Sequence, residues 1–339
     1  MDIVTQGIIG ALAAQAIADE KNSRRATLIG FIAGLPADAD ILIASQSDPL
    51  LTLDFHRQFT HSLFFIPIGG LLVAALLWLV FKNRMAFSQL FRYSLAGYAT
   101  SGLLDACTSY GTQLLWPFSN QRIAWSIISV FDPIFSITLI VMLVLGWRKI
   151  TPRFSQVGWL FVVGYFLFGI NQQANATNVM NTLAVQRGHA VERSVVKPTM
   201  GNLLLWRAVY QSGDIYYITA VRVSPLSPPL YYAGDSIELF DFDKDLDKWP
   251  KDSTLVKDVH RFHHFSDGYI AKHPEKHNIV GDVRYSLLPF DSRPIWGITL
   301  RDDKPDSHVP FKNDRSQISQ AMKIFPSMIA GTWDKFNKL

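Results

Sequence analysis

The sequence predicts an α-helical polytopic membrane domain followed by a β-rich α+β soluble domain. Three observations carry that prediction. Apolar stretches interspersed with small residues fill the first half; the run from Ser62 to Phe81 has no charge and is long enough to cross a bilayer, which takes about 20 residues. Charge density then doubles: residues 1–174 hold 11 Lys and Arg with 9 Asp and Glu, whereas the remaining 165 hold 21 and 19. After Pro198 the apolar residues alternate with polar ones, the period of a half-buried strand. The chain therefore divides into an embedded helical domain at 1–172, a linker at 173–198 and a β-rich domain at 199–339.

Six embedded segments are expected: Ile3 to Ala18, Ala26 to Ala44, Ser62 to Phe81, Phe91 to Cys107, Ile127 to Trp147 and Val157 to Ile170. The third and fifth are the strongest. The first two are short and carry Gln6, Asp38 and Asp40, so tilted or broken helices are expected there. No basic stretch or small-residue cleavage site of a secretory leader precedes the first segment, which is expected to be retained. Lys21, Arg24 and Arg25 follow the first segment, Lys82, Arg84 and Arg92 the third, and Arg148, Lys149 and Arg153 the fifth. Short loops rich in Lys and Arg stay cytoplasmic, and the alternate loops contain only Arg57 and Arg122. The C-terminal domain is thus predicted on the outer side of the membrane.

In that domain, Leu203 to Tyr210, a turn at Gln211 to Asp214, and Ile215 to Val221 make an expected hairpin. Further strands are predicted at Ser236 to Phe240, Val280 to Leu287 and Ile295 to Leu300. Ser316 to Phe325 reads as a helix stopped by Pro326. The polar stretch from Asn171 to Arg193 reads as a linker or a partly exposed helix. There is no internal repeat, low-complexity tract or phosphate-cradling glycine loop. The net charge of +4 is shared evenly between the halves, with no continuous basic face, which argues against nucleic-acid binding. One cysteine, Cys107, excludes an internal disulfide and any CxxC zinc site.

The predicted topology gathers scattered polar residues at one membrane face: Gln6, Asp38, Asp40, His56, His61, Asp105, Arg122 and Asp132. On a loop entering a helix, His56 and His61 can both turn inward. Imidazoles together with Asp38, Asp40, Asp105 and Asp132 are a donor set suited to zinc or a related hydrolytic metal. The plainer reading makes the two histidines and Arg57 head-group anchors. A carboxylate at mid-membrane depth costs roughly 2.5–3.5 kcal/mol on insertion scales, so Asp38 and Asp40 need water, a cation or partners. Asp132 before Pro133 suits equally a helix cap and first turn. Arg122 suits a phosphate, a carboxylate, or one of these aspartates.

Serine catalysis is disfavoured, because Ser62 adjoins His61 and adjacent residues point different ways, with no nucleophile elbow around it. A second histidine group, His260, His263, His264, His273 and His277, lacks an HExxH arrangement and reads as a solvated loop.

These residues resemble the YdjM-like family of bacterial inner-membrane proteins, described as metal-dependent hydrolases. The likeness is carried by Thr5-Gln6-Gly7 with Gly10-Ala11, by Leu35-Pro36 with Asp38 and Asp40, and above all by His56-Arg57-Gln58-Phe59-Thr60-His61-Ser62. It continues through Leu104-Asp105, Tyr110 to Gln113, Trp116 to Ser119, Arg122 and Asp132-Pro133. Gly281 to Tyr285 and Trp296-Gly297 are similar to segments of longer members. Two positions depart from the pattern: Gln6 and Ser101 stand where many relatives have histidine.

The resemblance implies a multi-pass protein of the bacterial inner membrane. A hydrolase of an ester, phosphoester or amide, drawn from lipid or envelope material, is expected. A divalent ion, zinc foremost, is expected on Asp38, Asp40, His56, His61 and Asp105. Asp40, Asp132 and Arg122 are the expected catalytic residues, the aspartates for proton transfer and Arg122 for developing negative charge. The alternative is a non-enzymatic envelope membrane protein whose polar cluster serves packing and whose C-terminal domain binds a partner.

Overall fold

Asp2 caps the first helix, accepting a hydrogen bond from Thr5 N at 3.0 Å, and α1 runs Ile3–Ala16. A short 3-10 turn leads into α2 (Ser23–Ala33), and a second 3-10 stretch, Pro36–Leu42, carries Asp38 and Asp40. The expected second segment is therefore broken at Gly34-Leu35-Pro36, where Pro36 has no N–H with which to continue the α-helical hydrogen-bond ladder. After α3 (Leu51–Phe55) and two 3-10 turns come α4 (Ile66–Phe81), α5 (Phe87–Ala106), α6 (Pro133–Lys149) and α7 (Arg153–Gln186). The computed structural model describes residues 1–333 and the short strand at 337–338.

Two units result: one made of 1–43, 55–170 and 200–202, the other of 44–54, 171–199 and 203–339. The first is helical. In it α1, α2 and α5 approach almost backbone to backbone: a Cβ on Gly10 would lie 2.6 Å from the Gly30 carbonyl oxygen, and one on Gly97 would lie 2.6 Å from the same atom. Only glycine permits that approach, the small-residue packing characteristic of helices in lipid. Leu63–Phe81 and Arg153–Gln186 are long and apolar enough to cross a membrane, and Ile3–Ala16 is a shorter apolar helix. On α4, Gly69, Gly70, Val73, Ala74 and Leu77 face inward, while Ile68, Leu71, Leu72, Leu76, Leu79 and Val80 are exposed. An apolar face of that kind suits lipid rather than water.

The expected fifth segment starts later than its hydropathy suggests. Asp132 caps α6 through Phe135 N at 3.1 Å with Pro133 in the first turn, and residues 107–132 form an irregular loop.

The second unit is rich in sheet. β1 (Arg193–Pro198), β2 (Leu205–Ser212), β3 (Ile215–Ser224) and β4 (Ser227–Glu238) form an antiparallel meander, with the strand at 337–338 (β9) on its far edge. The hairpin expected at 203–221 is β2 and β3, paired from Leu205↔Arg222 to Ser212↔Ile215. After α8 (Phe242–Asp245) and α9 (Thr254–Phe265), a second antiparallel sheet orders β5 (Ile270–Lys272), β6 (Ile279–Asp282), β7 (Trp296–Thr299) and β8 (Phe311–Asn313). Last comes α10 (Ile318–Ala330), with Gly331 at φ 75° as its left-handed cap. Pro326 lies inside α10 rather than ending it.

Most of the expected linker is structured. α7 continues to Gln186, where Ala176, Val179, Met180, Leu183 and Ala184 form a buried stripe at helical spacing, and β1 occupies 193–198. The amides that suggested a linker serve the sheet: Gln172 donates to the Leu203 and Val223 carbonyls at 3.2 and 3.1 Å, and Gln173 to that of Val196 at 3.1 Å. A buried arginine on β2, Arg207, donates to the carbonyls of Val283, Leu288, Pro289 and Asp291, pinning the loop between β6 and β7 to the first sheet.

Candidate metal centre

Four residues that the sequence spreads between positions 38 and 105 meet in the helical unit. Asp38 and Asp40 come from the 3-10 stretch after α2, His61 from the turn Phe59–His61, and Asp105 from the last turn of α5. His61 is buried. Its Nε2 lies 3.2 Å from Asp38 Oδ1 and 3.0 Å from Asp105 Oδ2, yet neither oxygen is placed for a hydrogen bond, and the nitrogen has no other partner. The opposite nitrogen, Nδ1, is well supported, 3.0 Å from Thr60 Oγ1 and 3.2 Å from Asp40 Oδ2. Thr60 donates its own proton to Asp40 Oδ2 at 2.8 Å, so it accepts the Nδ1 proton of His61. In the neutral ring, that tautomer would direct the Nε2 lone pair at two carboxylate oxygens.

Asp40 and His56 stand beside this trio rather than in it. Asp40 is buried and accepts from Arg57 N at 2.8 Å and from Thr60, while its other oxygen meets His56 Nδ1 at 2.8 Å. The rings of His56 and His61 are 6.3 Å apart between centroids. Asp40 thus orients two imidazoles at once. The open edge of the site belongs to Asp38 and His56, whose side chains are 17% and 18% exposed, whereas those of His61, Asp40 and Asp105 are wholly enclosed.

Asp105 is contacted from several sides. Its Oδ2 accepts from Gln6 Nε2 at 3.1 Å and lies 3.2 Å from Arg57 Nε; its Oδ1 pairs with the Met1 amino group. Gln6 Oε1 and Arg57 Nε join His61 Nε2 as buried polar atoms without a hydrogen-bond partner, all three around this one carboxylate. Such groups are rare in native proteins and mark places where an ion or water belongs.

Other expected site residues fall elsewhere. Asp132 is a helix cap whose second oxygen accepts from Tyr165 OH at 2.8 Å. Arg122 donates to the His56 and Gly111 carbonyl oxygens at 3.0 and 3.3 Å, bracing the loop that carries His56. Neither is among the groups that the structure places on the trio. Ser101, one turn before Asp105, is buried and donates to the Gly34 carbonyl at 3.0 Å, so the helical offset does not aim it at the trio. Sequence reasoning passed over Arg57, treated as a head-group anchor although it sits between the two histidines of the motif, and Thr60 and Thr108.

Of the second histidine group, His260, His263 and His264 lie on α9 rather than on a loop, and His260 stacks on Phe242 at 4.8 Å between centroids, whereas His273 and the exposed His277 do lie in the loop between β5 and β6. Among the described residues, the other acid and imidazole cluster is Asp48, Asp258 and His308. Its centre is taken by Arg261, which reaches Asp48 at 3.1 Å, Asp258 at 2.9 Å and Asp54 at 2.5 Å. Burial raises the Asp48 carboxyl, but the hydrogen bonds and charge of Arg261 outweigh it and hold the group below its ordinary value.

A helical unit with membrane-length apolar helices, enclosing a carboxylate and imidazole cluster and followed by a β-rich unit, defines a membrane-associated protein with a buried ionic site. Family comparison makes this specific: residues 1–176 match the YdjM inner membrane protein family, and the chain belongs to it. The match ends within α7. The chain is also similar to "Uncharacterized protein YfhP" of Bacillus subtilis (strain 168), 24% identical over 195 residues. That alignment takes in 57% of this chain and 58% of the relative, so the chain spans less than two thirds of the relative's length. No solved structure matches it.

Proposed function

We propose that this chain is a membrane-bound, metal-dependent hydrolase in which Asp38, His61 and Asp105 hold one divalent ion. The observation that carries the reading is His61 Nε2, a buried nitrogen without a hydrogen-bond partner facing two carboxylate oxygens at 3.0 and 3.2 Å. Ligands at about 2.1 Å from a metal lie about 3.0–3.4 Å from one another in octahedral or tetrahedral arrangement, so the spacing is that of a coordination edge. Asp40 behind Nδ1 completes a carboxylate, imidazole and metal relay, in which the outer carboxylate fixes tautomer and ring orientation. Two carboxylates and one imidazole suit zinc, with manganese or another oxygen-preferring ion as competitor.

Bound there, a divalent ion would activate water and polarise the bond to be cleaved. The chain's own groups do the rest. Asp40 holds His61 and His56; His56, hydrogen-bonded through Nδ1 and open at the site's edge, is placed to take a proton from the attacking water and return it to the leaving group. Asp38, on the same open edge, faces the side from which substrate arrives. The substrate class is an ester, phosphoester or amide presented by the membrane or the outer compartment. The multi-pass arrangement and the outward C-terminal unit belong to this proposal too, supported by the bias of nine basic residues against two between alternate loops and by the exposed apolar face of α4.

Metal analysis of the detergent-purified full chain tests the reading. Wild type should carry stoichiometric metal and His61→Ala should lose it while keeping its elution volume and helical circular dichroism. Wild type that takes up no divalent ion would favour the second reading, a non-enzymatic envelope protein. One observation supports that alternative: Arg57 and the Met1 amino group already offset much of the charge on Asp105.

A further inference from the structure

Arg57 is the residue of the histidine motif that the metal reading leaves unused. It adopts a left-handed backbone, φ 59°, which a side-chain-bearing residue keeps only where its surroundings enforce it. They do. Its N–H donates to Asp40 Oδ2 at 2.8 Å, and its carbonyl accepts from Gln113 N at 2.9 Å. Its guanidinium is held on three sides: Nη1 donates to Thr108 Oγ1 at 3.0 Å, Nε lies 3.2 Å from Asp105 Oδ2, and Cζ lies 4.9 Å from the centre of the Tyr110 ring. Thr108 is itself tied back to the Asp105 carbonyl at 2.7 Å. A strained backbone thus delivers a buried cation, tied through Nη1 to Thr108, to one carboxylate.

The oxygen it meets is the informative part. Asp105 Oδ2 faces His61 Nε2 at 3.0 Å on one side and Arg57 Nε at 3.2 Å on the other. With an ion on His61 Nε2, this oxygen would be shared between that ion and the guanidinium. In two-metal hydrolytic sites the bridged centres are both ions, about 3.5–4 Å apart. We propose that the Arg57 guanidinium stands in the place of a second ion, so that the centre takes one divalent cation and no more. This rests on the metal reading above and specifies its stoichiometry.

Charge supports it. Asp38, Asp40 and Asp105 bring three negative charges; before the Met1 amino group is counted, a permanently charged guanidinium and one divalent ion match them with both imidazoles neutral. A second divalent ion would leave an enclosed site strongly positive, which burial penalises. The Met1 amino group on Asp105 makes that costlier still.

The test is a zinc count on the full chain in detergent, by elemental analysis and calorimetric titration, for wild type, Arg57→Lys and Arg57→Ala. Wild type and the lysine variant should bind one equivalent. The alanine variant should take up a second, and methylguanidinium added to the buffer should displace it. Two equivalents in wild type would overturn the proposal. So would a folded alanine variant that binds one equivalent with wild-type affinity, or none. Should the alanine variant fail to fold, wild type decides: one equivalent with no second taken up at millimolar zinc supports the proposal, and two overturn it. Wild type that binds no zinc sinks the metal reading itself, an outcome distinct from all of these.

Discussion

Asp40 shows what a single carboxylate can do when every lone pair is directed. It accepts from a backbone N–H and a threonine hydroxyl and holds two imidazoles, so its removal disturbs the site without deleting a ligand. Asp40→Asn keeps the shape and loses the charge. Outer carboxylates behind a metal-binding histidine are typically worth about 10–100-fold in metal affinity. A zinc competition assay on Asp40→Asn should show a loss in that range, against near-complete loss for Asp38→Asn. Equal losses would place Asp40 in direct contact with the ion. The sequence marked all five of these residues, because charged groups beside an apolar run need a reason. It did not separate those that face the trio from those that orient it, since that distinction lies in which oxygen each ring nitrogen meets.

At the scale of elements, the site depends on how closely helices approach. α5 passes the His61 turn with no side chain between them: a Cβ on Gly102 would run into the His61 carbonyl oxygen. Tyr98, one turn earlier, donates to the Thr60 carbonyl at 2.8 Å, fixing the same turn from α5. Gly102→Ala should therefore push the turn away and cost about 1–3 kcal/mol, the usual range for overpacking. Thermal unfolding in detergent and zinc affinity should fall together. A stable variant of weakened affinity would show that the turn yields while the helices stay, and unchanged values in both would contradict the close approach. α7 teaches the opposite lesson about legibility. Its amide-rich middle reads as a linker or a partly exposed helix, and the spacing of Ala176, Val179, Met180 and Leu183 was the helical signal that decides for the second. The roles of Gln172 and Gln173 were not legible locally, because their carbonyl partners lie 23 to 51 positions away.

At the scale of the whole molecule, the open question is which side of the membrane each unit occupies. Nine basic residues in one set of short loops against two in the other set predict an outward C-terminal unit. Alkaline phosphatase fused after Leu339 should be active, and a reporter that works only in the cytoplasm should be silent. The reverse pattern would invert the orientation and move the open edge of the site to the cytoplasmic side.

Sequence alone determined the helical first part, the sheet-rich second part, the β2–β3 hairpin and the acidic and imidazole side chains at the heart of the cluster. These follow from local quantities: hydropathy over a helix length, alternation along a strand, and the cost of a charge beside an apolar run. It also set out the two roles between which Asp132 had to choose. Tertiary structure decided the rest. It assigned Asp132 to capping α6 and Arg122 to loop carbonyls, turned Ser101 toward Gly34, and seated Arg57 between Asp105, Thr108 and Tyr110. The reason is physical: the role of a buried polar group is set by the few atoms within about 3 Å of it. Here those atoms come from distant points in the chain, brought together by glycines that let three helices touch.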